Sequence, residues 1–136
     1  MSLLSRIIGV FRAKPPLEAP AILPDGKLQI HLLSGTFDSE KAAHDYCFAA
    51  IGDAPEQLTF EQPDAFIDTG FVEAVYQGAP DRLSEFLSPK AVQRILGQMA
   101  GDNTLVIISE DAFAGQPYAL VSNDTLRYLG PIIVDG

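Results

Sequence analysis

Leu105-Val106-Ile107-Ile108 is an unbroken apolar run, closed by Asp102-Asn103 before it and by Ser109 after it. A run of strand length, rich in β-branched side chains and bounded by turn formers, predicts a strand buried on both faces. Such a strand belongs in the middle of a sheet.

The neighbouring segments are read outward from it. Ser88 and Pro89 open a helix that continues to Ala100, with the proline at the first position, where its missing N–H costs nothing. Val92, Ile95, Leu96 and Met99 form its apolar stripe, and Gly101 stops it. Arg82 to Leu87 reads as a shorter helix before it. On the other side, Ser109 to Asp124 is loop-like, with a short strand expected at Tyr118–Val121. Leu126 to Val134 is a last strand, and Gly130-Pro131 marks it as an edge or a bulge.

In the first half, Lys27 to Leu33 alternates. Leu28, Ile30 and Leu32 share one face, while Lys27, Gln29 and His31 share the other, so His31 is expected in solvent. Asp38 is the expected N-cap of the next helix, with Glu40 in its first turn. Ala42, Ala43, Tyr46, Cys47, Ala49 and Ala50 line that helix, and Gly52 is its expected stop. A short strand is expected near Leu58-Thr59-Phe60 and another over Phe71–Tyr76. Strands interspersed with helices, with few clean βαβ units, give an α+β fold. The expected form is a small, mostly antiparallel sheet of four or five strands with two main helices packed on it.

The chain has 136 residues, a length that predicts a single domain with one core. That domain is expected over 26–136. Residues 15–25 hold Pro15, Pro16, Pro20 and Pro24, a composition that excludes helix and predicts a stiff extended linker. Residues 1–14 carry Leu3, Leu4, Ile7, Ile8 and Phe11 at helical spacing, with Arg6, Arg12 and Lys14 on the remaining arc. Arg6 splits the apolar run, as a signal peptide would not, and the segment is too short to span a bilayer. A docking helix, or a weak membrane or scaffold anchor, is expected there.

Charge is distributed unevenly. Between Ala42 and Asp81 there is no Lys or Arg, but there are eight carboxylates: Asp45, Asp53, Glu56, Glu61, Asp64, Asp68, Glu73 and Asp81. Outside this stretch ten acids face nine bases, so nearly the whole net charge of -9 lies within it. An acid excess of this size argues against nucleic acid as a direct partner and against an anionic membrane surface for the main body. Phe66, Phe71 and Tyr76 lie among the acids. Aromatic anchors rimmed by one sign of charge suit a protein-binding surface.

Catalytic and metal signatures are sparse. His44 and Cys47 stand at helical i, i+3 spacing, but Cys47 falls in an alanine-rich stripe with no cation to activate it. His31 and His44 are the only histidines, and neither lies in a metal motif. A single cysteine excludes an intrachain disulfide. No phosphate-cradling glycine loop and no G-x-S-x-G is present. No catalytic residue, metal or cofactor is assigned. A small enzyme or metal-binding domain centred on the histidines stays open as the alternative.

Three pieces carry a resemblance: His31-Leu32-Leu33-Ser34-Gly35-Thr36-Phe37-Asp38-Ser39-Glu40, then Phe66-Ile67-Asp68 with Phe71 and Glu73, then Arg127-Tyr128-Leu129-Gly130. Together they resemble the immunity proteins of bacterial polymorphic toxin systems, the family numbered twenty-two, over roughly residues 28–134. The resemblance implies a cytoplasmic, non-enzymatic α+β protein that binds and neutralises a cognate toxin. Many such toxins are nucleases with basic clefts, which an acidic partner would approach quickly. Asp64, Asp68 and Glu73 are therefore expected on one acidic partner-binding surface, with Tyr76 as an apolar anchor beside them.

Overall fold

The computed structural model describes residues 16–20 and 22–135; the amphipathic segment expected over 1–14 lies outside them. The sheet consists of β1 (Lys27–Gly35), β2 (Val72–Tyr76), β3 (Thr104–Ser109) and β4 (Arg127–Asp135). The strands stand in the order β2-β3-β1-β4, and every neighbouring pair is antiparallel. The fold is α+β, with four strands, and β3 is interior as its apolar run predicts.

Alternation along β3 divides the core in two. Val106 and Ile108 join one cluster with Leu33, while Leu105 and Ile107 join the other with Ile30 and Leu32. Among the described residues the helices are α1 (Glu40–Phe48), α2 (Gln57–Phe60), α3 (Ala79–Ser84) and α4 (Pro89–Met99). Tyr46 and Cys47 of α1 and Leu58 of α2 cover the first face. Ala79 and Leu83 of α3 and Val92, Ile95 and Met99 of α4 cover the second. The two main helices therefore lie on opposite faces of the sheet. Each large apolar side chain in these stripes stabilises the fold by about 1.5–3 kcal/mol through removal from water.

Several local expectations change. The N-cap of α1 is Ser39 rather than Asp38: the Ser39 hydroxyl accepts from the Ala42 N–H at 3.0 Å. The helix ends at Phe48, before Gly52, leaving Ala49 and Ala50 exposed. The expected strand near Leu58 is instead the single helical turn α2, which buries Leu58 and turns Phe60 outward. The short helix before Ser88 starts earlier than expected, because Pro80 fits its first turn. Ser88 caps α4 as expected, through the Ala91 N–H.

The largest departure concerns the segment after β3. Its loop-like sequence contains a 3-10 turn, Glu110–Phe113, and buries Phe113, Tyr118, Leu120 and Leu126 against the odd-numbered face of β1. His31 is consequently only 1% exposed, not in solvent. Gly35 marks how close this segment comes: a Cβ there would lie 2.4 Å from the Thr125 carbonyl oxygen. The proline-rich segment is pinned as well. Glu18 and Tyr118 exchange backbone hydrogen bonds at 2.7 and 3.0 Å. Pro131 falls on the edge strand β4, where a missing N–H is tolerated, and the β1–β4 register slips between Leu32 and Leu33.

Candidate functional site

Of the four residues expected on one acidic surface, Glu73 and Tyr76 fall on opposite faces of the sheet. Asp64 precedes Phe66 in a loop, where its carbonyl oxygen accepts the Ala119 N–H at 3.0 Å. Asp68 caps the 3-10 turn Thr69–Phe71, accepting the Gly70 N–H at 2.9 Å, and its own N–H donates to the Ala112 carbonyl at 2.8 Å. These two loops are thereby fastened to the segment that covers β1. Glu73 and Tyr76 both lie on β2, but strand alternation separates them. Val72 and Ala74 pack into the first cluster and Val75 packs into the second, so Glu73 shares the second face and Tyr76 the first. Glu73 is taken up by Arg82 of α3, at 2.6 Å and 3.1 Å in a forked pair. Tyr76 is half-buried.

Large exposed apolar side chains mark the acidic stretch instead. Phe60 is 68% exposed, Phe66 58% and Phe71 46%. Each has a local reason. Phe60 ends the one-turn helix whose buried position is taken by Leu58, and Phe66 alternates with buried Ile67. Phe71 closes the turn that Asp68 caps. Asp64 and Asp68 stand two residues to either side of Phe66. The sequence singled out Phe66 and Phe71 but not Phe60, whose neighbourhood reads as a strand.

A second constellation is buried and was missed. His31 Nε2 donates to Glu110 Oε2 at 2.7 Å, and its Nδ1 lies 2.8 Å from the Tyr128 hydroxyl. The Tyr118 hydroxyl donates to Glu110 at 2.9 Å, and Gln29 Nε2 donates to the same carboxylate at 3.2 Å. Burial first, then the Glu110 carboxylate, pushes the Tyr118 hydroxyl well up. These residues are far apart in sequence, so no local spacing could reveal the cluster. Only a pairing of β1 with β4 beneath a folded loop assembles it.

A third feature is an open bowl of about 550 Å³ whose lining includes Ser34, Thr36, Asp102 and Arg127. Two of its charges, Asp102 and Arg127, are committed to each other. Arg127 Nη2 donates to Asp102 at 2.8 Å and to the Met99 carbonyl at 2.8 Å, where it satisfies the end of α4. Ser34 and Thr36 donate to the two oxygens of Asp102, at 2.8 and 3.0 Å. Burial alone would raise the Asp102 carboxyl, but these hydrogen bonds outweigh it and hold it below the usual carboxylate range.

No hydrogen bond joins either histidine to the Cys47 thiol. The His44 ring packs against Phe48, with centroids 4.6 Å apart, and burial pushes the Cys47 thiol up to about 12. Among the described residues, no group of three or more His, Cys, Asp or Glu side chains is arranged to hold a metal. No described helix is long and apolar enough to cross a membrane. Comparison with known proteins finds no matching family model, no matching curated protein and no matching solved structure.

Proposed function

We propose that this chain is a non-enzymatic binding protein of the cytoplasm that captures a basic protein domain, in the manner of an immunity protein neutralising a nuclease-type toxin. One observation carries the proposal. Phe60, Phe66 and Phe71 stand exposed within the base-free stretch 42–81, whose eight carboxylates carry nearly the whole net charge of the chain. Solvation alone would call for the acids and not for the phenylalanines. Exposed aromatic side chains with a rim of one charge sign can anchor a partner of the opposite sign. Within the surface first expected, Asp64 and Asp68 keep their role and Phe66 and Phe71 replace Tyr76 as anchors. Glu73 is assigned to the fold, because Arg82 holds it.

The test is rescue. A growth-inhibiting basic domain encoded beside this chain is expressed in bacteria with and without it. Growth is expected to return on co-expression, together with an equimolar complex that weakens as salt is raised. Absence of both rescue and complex at micromolar concentrations contradicts the proposal.

Catalysis at His31 is the alternative with a specific observation behind it, the hydrogen-bonded grouping of a histidine, a carboxylate and two tyrosines. It requires a substrate to reach a ring that is 1% exposed.

A further inference from the structure

The backbone pairing of Glu18 with Tyr118 lays the proline-rich segment against the segment that covers β1, and a cavity of about 310 Å³ remains between them. Pro16, Tyr118, Leu120, Tyr128 and Pro131 supply rings and aliphatic surface to its walls, and Glu18 supplies a carboxylate. No Lys or Arg stands among the described lining residues. Glu18 forms no ion pair with any described residue. A second carboxylate, Glu110, stands behind the wall, 2.9 Å from the Tyr118 hydroxyl. Burial and the charges of Glu18 and Glu110 together push the Tyr128 hydroxyl up to about 12. The cavity thus combines the half-buried Tyr128 ring and apolar walls with the Glu18 carboxylate. Ala119, which also lines it, donates its N–H to the Asp64 backbone carbonyl, so the cavity wall is joined to the backbone of the acidic stretch.

We propose that this cavity receives one alkylammonium or guanidinium group. An aromatic ring and a carboxylate both favour a cation. A volume of about 310 Å³ suits a lysine or arginine side chain, or a small free amine, at the lower end of the range for small-ligand sites. The choice of a protein side chain as source rests on the reading of this chain as a binder of basic proteins. The cationic group itself does not.

The full chain is titrated with methylguanidinium, a simple alkylamine and a short polylysine peptide, and backbone and tyrosine resonances are followed. The expected shifts cluster at Tyr118, Leu120 and Tyr128. Glu18→Gln is expected to weaken binding by about fivefold or more. Glu18→Lys, which tethers a cation at the cavity, is expected to abolish it. Glu18 is exposed, so neither variant should move the melting temperature. Binding of the peptide alone identifies a protein side chain as the source, and binding of all three probes identifies the bare cation. Shifts confined to residues 60–73, with both Glu18 variants binding like the parent, overturn the cavity site and leave the acidic surface standing. No shift at the cavity with any probe overturns it as well, while the rescue experiment still decides the wider function.

Discussion

His31 shows how a single polar residue can be structural on a strand that reads as half-solvated. Its two ring nitrogens satisfy Glu110 and Tyr128 in an interior where every buried side-chain polar atom among the described residues has a partner. Truncation to alanine would leave a nearly buried carboxylate and a tyrosine hydroxyl short of partners. His31→Ala is therefore expected to cost about 2–4 kcal/mol, read as a lower urea midpoint with an unchanged slope. Asp102 allows a test in pH. Its folded-state carboxyl is depressed by Arg127, Ser34 and Thr36, so its stabilisation is present above the unfolded value of about 3.9 and disappears as pH falls through the lower folded value. Glu61 is depressed in the same direction: burial opposes the shift, but Gln57, Tyr46 and Thr125 outweigh it. Stability should fall below about pH 4, and Asp102→Asn should be less stable at pH 7 with a shallower acid limb. An acid limb as steep as the parent's would show that Asp102 is not linked to folding.

At the scale of elements, β2 and α4 contribute in different ways, and paired substitutions separate them. Ile95 is 1% exposed on the buried stripe of α4, and Ile95→Ala should cost about 2–5 kcal/mol by leaving a cavity. Glu73 and Arg82 join β2 to α3 by an ion pair whose side chains are both more than a third exposed, so solvent screens it. Glu73→Gln should cost no more than about 1 kcal/mol. Chemical denaturation of both variants measures the contrast, and similar losses would mean that the ion pair is stronger than its exposure allows. These elements were largely legible in advance. The apolar run of β3, the Ser88-Pro89 start of α4 and the Gly130-Pro131 interruption of β4 each act through local chemistry. What was not legible depends on contacts between distant segments. No periodicity in residues 110–126 indicates that they cover β1, and so nothing local could bury His31. The placement of Glu73 was missed for a related reason: strand alternation was available from the sequence, but the Arg82 partner depended on where α3 packs.

For the whole molecule, the question is what a net charge of -9, concentrated in one base-free stretch, does when a basic partner approaches. Long-range attraction acts before contact and is screened over about 10 Å at 0.1 M salt, so it governs the association rate at low ionic strength. Desolvated aromatic contact acts after encounter and governs dissociation. Asp68 and Phe66 allow the two to be tested apart on one surface. Asp68→Asn retains a side chain able to cap the turn before β2, so the fold should be unaffected. With the basic domain identified by rescue, its association should slow by about two- to fivefold at low salt, and the difference should vanish as salt approaches 0.5 M. Phe66→Ala should leave association unchanged and speed dissociation by about tenfold or more, since loss of a buried aromatic anchor costs about 1.4 kcal/mol or more. Glu73→Gln is the control: its carboxylate is paired with Arg82, which also holds Glu85, and lies away from the Phe66 loop, so it should slow association less than Asp68→Asn and leave dissociation unchanged. Stopped-flow mixing at several ionic strengths separates the three. If Glu73→Gln slows association as much as Asp68→Asn, the recognition surface lies on the other face of β2. If Phe66→Ala dissociates like the parent, the exposed phenylalanines are not the anchors.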